Sequence, residues 1–226
     1  MAIIVLCPTR NRPERALELQ ESFEDTISKT NFTASLVFAV DNNDPKKNDY
    51  FSLVNNIVIL NDNETGNLTK ATNYLAARFW DLDLIFGHVG DDHRFITPDW
   101  DIIIEQVLAQ PGVAYGNDLI QGEKLPTAVF INSIIPRTLG WFALPACQHL
   151  NIDNAWKDIG NGIGRLTYLP DLIIKHEHPA GNFIPWDEDY LKVNTLANAD
   201  SYAYGNWVRN EYSSDISKIK FALGIV

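Results

Sequence analysis

The sequence predicts an α/β fold in which a mostly parallel sheet carries helices on its faces. Short apolar runs alternate with amphipathic helical segments through the first half of the chain, which is the pattern of strand–helix–strand units. Polar clusters follow three of the apolar runs. Because ligands of such sheets bind beyond the carboxyl ends of the strands, these clusters are expected to meet in one cleft.

The predicted strands are short runs of β-branched and aliphatic residues, as buried strands are. They cover residues 3–6, 36–40, 57–60, 84–88 and 113–115, with two shorter candidates at 166–169 and 172–175.

The predicted helices are segments in which apolar residues recur at helical spacing. They cover residues 14–27, 68–80, 98–109 and 154–163, with Asp153 as the N-cap of the last one. The tail from residue 187 onward is expected to end as helices packed on the outside.

Charge and composition exclude several classes of protein. The 226 residues suit one domain, and the formal net charge of −11 argues against a broad nucleic-acid surface, which needs clustered Lys and Arg. The two cysteines, Cys7 and Cys147, cannot staple a domain of this size, so a reducing compartment is expected. The first residues carry no charged leader and no run long enough to span a membrane. A cytoplasmic protein is therefore predicted.

Two adjacent carboxylates, Asp91 and Asp92, follow the predicted strand 84–88. A divalent cation would relieve their mutual repulsion, and hard oxygen ligands suit Mg²⁺ or Mn²⁺. His176 and His178 are spaced to face the same side of a strand and could complete such a site. A solvated loop is the alternative interpretation of each pair.

Three further carboxylates are candidates for contact with a substrate. Asp41 ends the predicted strand 36–40, where it could accept a hydrogen bond from a base or a ribose, or form a plain turn. Asp153 and Asp158 bracket a Trp near the expected cleft, and either could act as a general base. Simple helix capping explains Asp153 equally well, and an exposed helix face explains Asp158.

Four polar residues are candidates for holding an anionic substrate. Arg10 and Arg12 follow the first predicted strand, and Lys70 and Asn73 share one helix face. A solvated surface is the alternative for each of them.

Taken together, these segments resemble family-2-like glycosyltransferases of the small bacterial and phage type, over residues 3–180. The resemblance lies in five motifs that occur in the family's order. They are Pro8-Thr9-Arg10-Asn11-Arg12-Pro13, Val40-Asp41-Asn42-Asn43-Asp44, Gly66-Asn67 to Asn73, Gly90-Asp91-Asp92-His93 and the acceptor-side segments Asp153 to Asp158 and His176-Glu177-His178-Pro179.

The resemblance implies a single GT-A domain. Residues 1–117 would form its nucleotide-sugar-binding half, and residues 118–226 would form an acceptor-side half with C-terminal helices. It also implies donor contacts from Pro8, Thr9, Arg10, Arg12, Asp41, Asn67, Lys70, Asn73 and Asp91, metal ligation by Asp92 with His176 or His178, and a catalytic base at Asp153 or Asp158. The metal motif reads Asp-Asp-His instead of Asp-x-Asp, and one acid, Asp153, stands where the family has a pair.

The function implied is metal-dependent transfer of a hexosyl or pentosyl group from a nucleoside-diphosphate sugar, with a UDP-sugar favoured, to a hydroxyl acceptor. The cofactor would be Mn²⁺ or Mg²⁺, and a protein, a glycan or a modified nucleobase could be the acceptor. A metal-dependent hydrolase or nucleotidyltransferase, or a catalytically silent nucleotide-sugar-binding protein, remains an alternative.

Overall fold

The computed structural model describes residues 1–30, 34–61, 63, 66–181, 183 and 188–225, with the side chains of all of these except 180 and 188–194. Within these ranges the strands are β1 (Ala2–Thr9), β2 (Ala34–Asp41), β3 (Ile57–Leu60), β4 (Leu84–His88), β5 (His93–Phe95), β6 (Val113–Asn117), β7 (Val129–Asn132) and β8 (Leu166–His176).

The helices of the described residues flank this set of strands. They are α1 (Pro13–Thr26), α2 (Lys47–Leu53), α3 (Leu68–Ala77), α4 (Trp100–Val107), α5 (Ile134–Leu139), α6 (Ile152–Gly162), α7 (Glu188–Asn210) and α8 (Tyr212–Ala222). None of them has the length and apolar character needed to cross a bilayer.

All eight strands form one sheet with the order β3-β2-β1-β4-β7-β6-β8-β5. The pairs β1–β2, β2–β3, β1–β4 and β6–β8 are parallel, whereas β7 is antiparallel to β4 and β6, and β5 is antiparallel to β8. The mostly parallel α/β architecture is therefore confirmed. Strands β1 to β6 come from residues 1–117, and β7 and β8 come from residues 118–226. Because all of them belong to one sheet, a single layer of strands joins the two halves expected from the sequence.

The structure departs from the predicted elements in two ways. The short elements α2, β5, β7 and α5 were not predicted, because each is too short to show a clear periodicity. The two strands expected at 166–169 and 172–175 are instead one strand, β8, with a register shift where Leu169 faces Gly116 and Ile173 faces Asn117. The bulge accommodates Pro170, which looks like a strand end in the sequence.

A hydrophobic cluster covers each face of the sheet. Alternate residues of β1 point to opposite faces, so that Leu6 belongs to one cluster whereas Val5 and Cys7 belong to the other. The first cluster surrounds Trp156 and Trp207, both of which are buried. Burial of each large apolar side chain stabilises the fold by roughly 1.5–3 kcal/mol.

The described part of the tail, residues 188–225, contains α7 and α8, as predicted, whereas residues 187 and 226 lie outside the described residues. Trp207 of α7 packs edge-on against Tyr212 of α8, and Ile219 of α8 is buried in the same cluster. The tail is therefore part of the core as well as an outer layer.

Candidate active site

The parallel strands β1, β2 and β4 end at the same edge of the sheet. The segments that follow them line a cleft of about 600 Å³, as expected for an open α/β sheet. Of the residues predicted for the site, this cleft is lined by Pro8, Thr9, Arg10, Arg12, Asp41, Asn67, Asp91, Asp92, Asp153, His176 and His178. The predicted convergence of chain-distant loops on one cleft is therefore observed.

The segment after β1 is held in place by Tyr50 of α2 and by Asp44, which precedes that helix. The Tyr50 hydroxyl lies 3.1 Å from the Thr9 hydroxyl and accepts a hydrogen bond from the Arg12 backbone N–H at 2.9 Å. The Asp44 carboxylate accepts the N–H of Asn11 at 2.7 Å. These contacts fix the backbone from which Arg12 reaches the cleft. Tyr50 was missed in the sequence because α2 itself was missed.

Asp41 lies at the end of β2 and is buried, with 6% of its surface exposed. Its Oδ2 accepts hydrogen bonds from the Arg10 guanidinium and from the Gly66 N–H, the latter at 3.1 Å. Arg10 also donates to the Asn43 side chain at 2.7 Å. Arg10 therefore braces the turn around Asp41, and Oδ1 is the carboxylate oxygen that these contacts leave available.

Asp91 is fixed by its neighbours on the cleft floor. Thr9 donates a hydrogen bond to Asp91 Oδ2 at 2.7 Å, and the Arg12 guanidinium lies 3.5 Å from Oδ1. Burial and the Asp92 carboxylate raise the pKa of Asp91, although Arg12 and Thr9 act in the opposite direction. The negative charge on Asp91 is therefore stabilised by Arg12 and Thr9 and destabilised by Asp92.

Asp92 faces two imidazoles. Its Oδ2 lies 3.3 Å from His176 Nε2, and its Oδ1 lies 3.4 Å from His93 Nδ1. Burial alone would raise the pKa of Asp92, but the hydrogen bond from His176 lowers it well below its ordinary value. A Cβ at Gly90 would lie 2.6 Å from Asp92 Oδ1. Only glycine therefore leaves room for this carboxylate.

His176 reaches Asp92 because β8 changes its partner. After running parallel to β6, the end of β8 pairs antiparallel with β5, which places His176 directly opposite His93. The two rings stack with centroids 4.2 Å apart and an interplanar angle of 13°. Pairing between residues 93–95 and 174–176 thus carries the far half of the chain to the Asp92 carboxylate.

Asp92, His93 and His176 form a group of three potential metal ligands whose ligand atoms all lie within 4.8 Å of one another. His178, the other histidine predicted for the site, lies beside this group, with its ring centroid 5.1 Å from that of His176. However, His93 Nδ1 already accepts the Gly90 N–H at 3.0 Å. Asp92 and His176 are therefore the better ligands, with His93 stacked behind them.

The chemistry of this group fits a divalent ion. Two ligand atoms bound at right angles to one ion, each about 2.1 Å away, lie about 3 Å apart. The 3.3 Å between Asp92 Oδ2 and His176 Nε2 is close to that spacing. A carboxylate paired with an imidazole suits Mn²⁺ better than Mg²⁺, which strongly prefers oxygen.

Asp153 also lines the cleft, at the second residue of α6. The helix begins at Ile152 and its N-cap is Asn151, so the prediction that Asp153 is the N-cap is wrong. Its carboxylate accepts the adjacent backbone N–H of Asn154 at 3.0 Å. Burial raises the pKa of Asp153 and so makes its carboxylate a stronger base.

Helix α7 also shapes the cleft, which the sequence did not predict. The buried carboxylate of Asp200 accepts the backbone N–H groups of Gln148, His149 and Leu150 at 2.7–2.9 Å. His149 and Leu150 line the cleft, as do Thr195 and Leu196 of α7 itself.

The structure places Lys70 and Asn73 outside the cleft. The Lys70 side chain is exposed and its Nζ lies 3.4 Å from the carbonyl of Asn63. The Asn73 side chain bonds the backbone of Phe142 and Ala143 with three hydrogen bonds of 2.7–2.8 Å. Asn73 therefore joins α3 to the loop after α5, and the helix face it shares with Lys70 does not reach the site.

Asp158 also lies away from the cleft. Its carboxylate accepts a hydrogen bond from Tyr204 of α7, and its backbone carbonyl accepts one from Tyr212 at 2.9 Å. It is one and a half turns beyond Asp153 on α6, which turns it toward the C-terminal helices. Asp158 is thus a packing contact, and Asp153 is the carboxylate of this pair that faces the cleft.

No protein-family model matches the sequence, and no curated protein matches it either. Solved structures do. The mannosyltransferase PcManGT from Pyrobaculum calidifontis, in complex with GDP-Man and Mn²⁺, superposes with a TM-score of 0.60 at 11% identity, covering 98% of this chain and 74% of that one.

Residues 1–349 of TarS from S. aureus superpose with a TM-score of 0.55 at 14% identity, covering 77% of this chain and 59% of that one. The complex of the same fragment with UDP-GlcNAc gives 0.56 at 15% identity, covering 88% of this chain and 66% of that one. The chain thus spans about three fifths of the TarS fragment. Together with the sheet order, these matches show the GT-A fold.

Proposed function

We propose that this protein is a metal-dependent glycosyltransferase that takes its sugar from a nucleoside-diphosphate donor. The observation that carries the proposal is the meeting of Arg12, Asp41, Asp92 and His176 in one cleft. These residues lie at or just beyond the ends of four strands, β1, β2, β4 and β8, and would supply a base contact, a cation for phosphate and a pair of metal ligands. TarS and PcManGT, which share the fold, were solved with UDP-GlcNAc and with GDP-Man and Mn²⁺, respectively.

Uracil is the base that Asp41 suits best. Its Oδ2 already accepts from Arg10 and Gly66, which leaves Oδ1 to accept an N–H from the base. The imide edge of uracil offers one N–H, whereas guanine offers two adjacent donors, which pair best with both oxygens of one carboxylate. Small apolar side chains, Leu60 and Ala71 among them, complete this part of the cleft.

Asp92 and His176 would hold the divalent ion, with Mn²⁺ favoured. The ion would supply charge neutralisation on the diphosphate as the bond to the sugar breaks. Arg12 lies beside this position and is held there by Asp91. Its guanidinium would stabilise the same developing charge, because a fixed cation in a partly desolvated cleft needs no reorganisation.

Asp153 is the proposed general base. The acceptor oxygen would form a bond to the anomeric carbon, the bond from that carbon to the diphosphate oxygen would break, and the acceptor proton would pass to the Asp153 carboxylate. The raised pKa of Asp153 favours this proton transfer. A protein, a glycan or a modified nucleobase could provide the attacking hydroxyl.

A panel of nucleotide sugars, incubated with Mn²⁺ with and without candidate acceptors, tests the proposal. We expect stabilisation by UDP in a thermal-shift measurement, weaker stabilisation by GDP, and release of UDP from at least one sugar. Binding without any release would favour a silent binding protein. Cleavage between the phosphates, instead of between sugar and phosphate, would favour a hydrolase or a nucleotidyltransferase.

A further inference from the structure

Asp118 follows β6 directly and is almost fully buried, with 2% of its surface exposed. Its Oδ1 accepts three backbone N–H groups, from Ile120, Gln121 and Gly122, at 2.7–2.9 Å. The turn after β6 therefore fixes the carboxylate rigidly in one orientation. Such a carboxylate is charged, since hydrogen bonds outweigh the effect of burial and lower the pKa of Asp118.

The other carboxylate oxygen faces His176. Oδ2 accepts one hydrogen bond, from the Thr127 hydroxyl at 2.9 Å, and lies 3.9 Å from His176 Nδ1. In addition, the backbone carbonyl of Asp118 accepts the N–H of His176 at 3.0 Å. A carboxylate oxygen has capacity for a second donor. Asp118 Oδ2 can therefore accept the Nδ1–H of His176 after a small rotation of the imidazole ring.

The His176 ring is consequently bounded on both edges and on one face. Nε2 lies toward Asp92, Nδ1 lies toward Asp118, and the ring is stacked on His93. With Nδ1 toward Asp118 and one face against His93, Nε2 is the ring nitrogen directed at Asp92, which is the arrangement that a shared metal ion would require.

We propose that Asp118 is a positioning residue that fixes the ring orientation of His176 for metal binding. This inference rests on the proposed metal role of Asp92 and His176. A carboxylate that accepts the second ring N–H of a histidine ligand raises the basicity of that ligand, and its loss typically lowers metal affinity 10- to 100-fold.

Mn²⁺ affinity, measured by electron paramagnetic resonance without nucleotide, tests the proposal. We expect Asp118→Asn to weaken binding about 10- to 100-fold. Asp200→Asn is the matched control, because Asp200 is an equally buried carboxylate that accepts three backbone N–H groups but faces no metal ligand. We expect its Mn²⁺ affinity to equal that of the parent protein.

A double-mutant cycle separates positioning from general loosening. In the His176→Ala background, Asp118→Asn should cause no further loss of Mn²⁺ affinity, because its effect passes through the missing ring. An undiminished loss in that background, an equal loss in Asp200→Asn, or no loss in Asp118→Asn would overturn the inference while leaving the proposed function standing.

Two outcomes remain to be distinguished. If the parent protein binds no Mn²⁺ with or without UDP, the proposed metal role fails and the inference fails with it. If Asp118→Asn does not fold, Thr127→Val replaces it, because this change removes a bond to Oδ2 and leaves the three backbone bonds intact. A smaller loss of Mn²⁺ affinity that disappears in the His176→Ala background is then expected, and its absence would overturn the inference.

Discussion

The two halves of the chain place their site residues by different physical means. In residues 1–117, parallel strands end at one edge of the sheet, and Thr9, Asp41 and Asp92 lie at or just beyond those ends. In residues 118–226, side chains fix the backbone, as Asp118 and Asp200 do by accepting three N–H groups each. The positions of the site residues in the first half are therefore set by the pattern of strands. Those in the second half are set by individual hydrogen bonds between residues that are distant in the chain.

The largest expected effect comes from Asp92, the carboxylate just beyond the end of β4. Asp92→Ala should lower the turnover number about a thousandfold, because several kcal/mol of charge stabilisation is lost and each ~1.4 kcal/mol is tenfold. Sugar transfer and Mn²⁺ affinity, measured on the same preparation, check this. Near-parent turnover of Asp92→Ala in the presence of Mn²⁺ would show that residues 1–117 do not supply a metal ligand at Asp92.

The next effect tests the far half. Asp153→Asn should lower turnover about 10²- to 10⁴-fold, because the general base is lost, while UDP affinity remains unchanged. Asp158→Asn is the matched control on the same helix, and its folded protein should turn over as the parent does, because that carboxylate bonds Tyr204 instead of lining the cleft. Equal losses in both variants would contradict the role assigned to Asp153.

A smaller effect is expected from Gly90, which lies against the carboxylate of the proposed metal ligand Asp92. Gly90→Ala places a Cβ against Asp92 Oδ1, so the carboxylate has to move. Mn²⁺ affinity should fall about tenfold, as it does when a ligand loses its orientation. Calorimetric titration with Mn²⁺ measures it. Parent-like affinity would mean that the loop position of Asp92 is more adaptable than its packing indicates.

The smallest effect on function is expected from the helix face that was predicted to bind the donor. Asn73→Ala should destabilise the fold by about 1–3 kcal/mol, because the partners of three hydrogen bonds are left unsatisfied. UDP affinity should not change. Denaturant unfolding and calorimetry measure the two quantities, and Lys70→Ala, a change at an exposed position of the same helix, should alter neither. A specific loss of UDP affinity in either variant would restore the original prediction.

The sequence predicted most of the first half correctly, because strand length and apolar alternation are local properties. β3 and β4 were predicted at their observed bounds, and the convergence of Thr9, Asp41 and Asp92 follows from parallel strands alone. The same reasoning assigned Asn73 to the site, since helical spacing identifies residues that share a face but not the direction in which that face points.

The far half was harder to predict because its geometry depends on contacts between distant residues. No periodicity marks β5 or the bulge at Pro170, and without both of them His176 cannot be placed opposite His93. The signal that could have identified Asp118 is its position, since it is another acid directly after a buried strand. Asp200 gave no such signal, because its partners are backbone groups about fifty residues away.

The pairing of β5 with β8 has a consequence for biosynthesis. His176 is brought to Asp92 by this ladder and by the hydrogen bond from the Glu177 N–H to the Asp92 carbonyl at 2.7 Å. The segment 148–150 is held by Asp200 of α7. Under the proposed function, a growing polypeptide would complete β1, β2 and β4 long before His176 is translated. The metal site proposed at Asp92 and His176 could therefore form only after most of the chain has been synthesised.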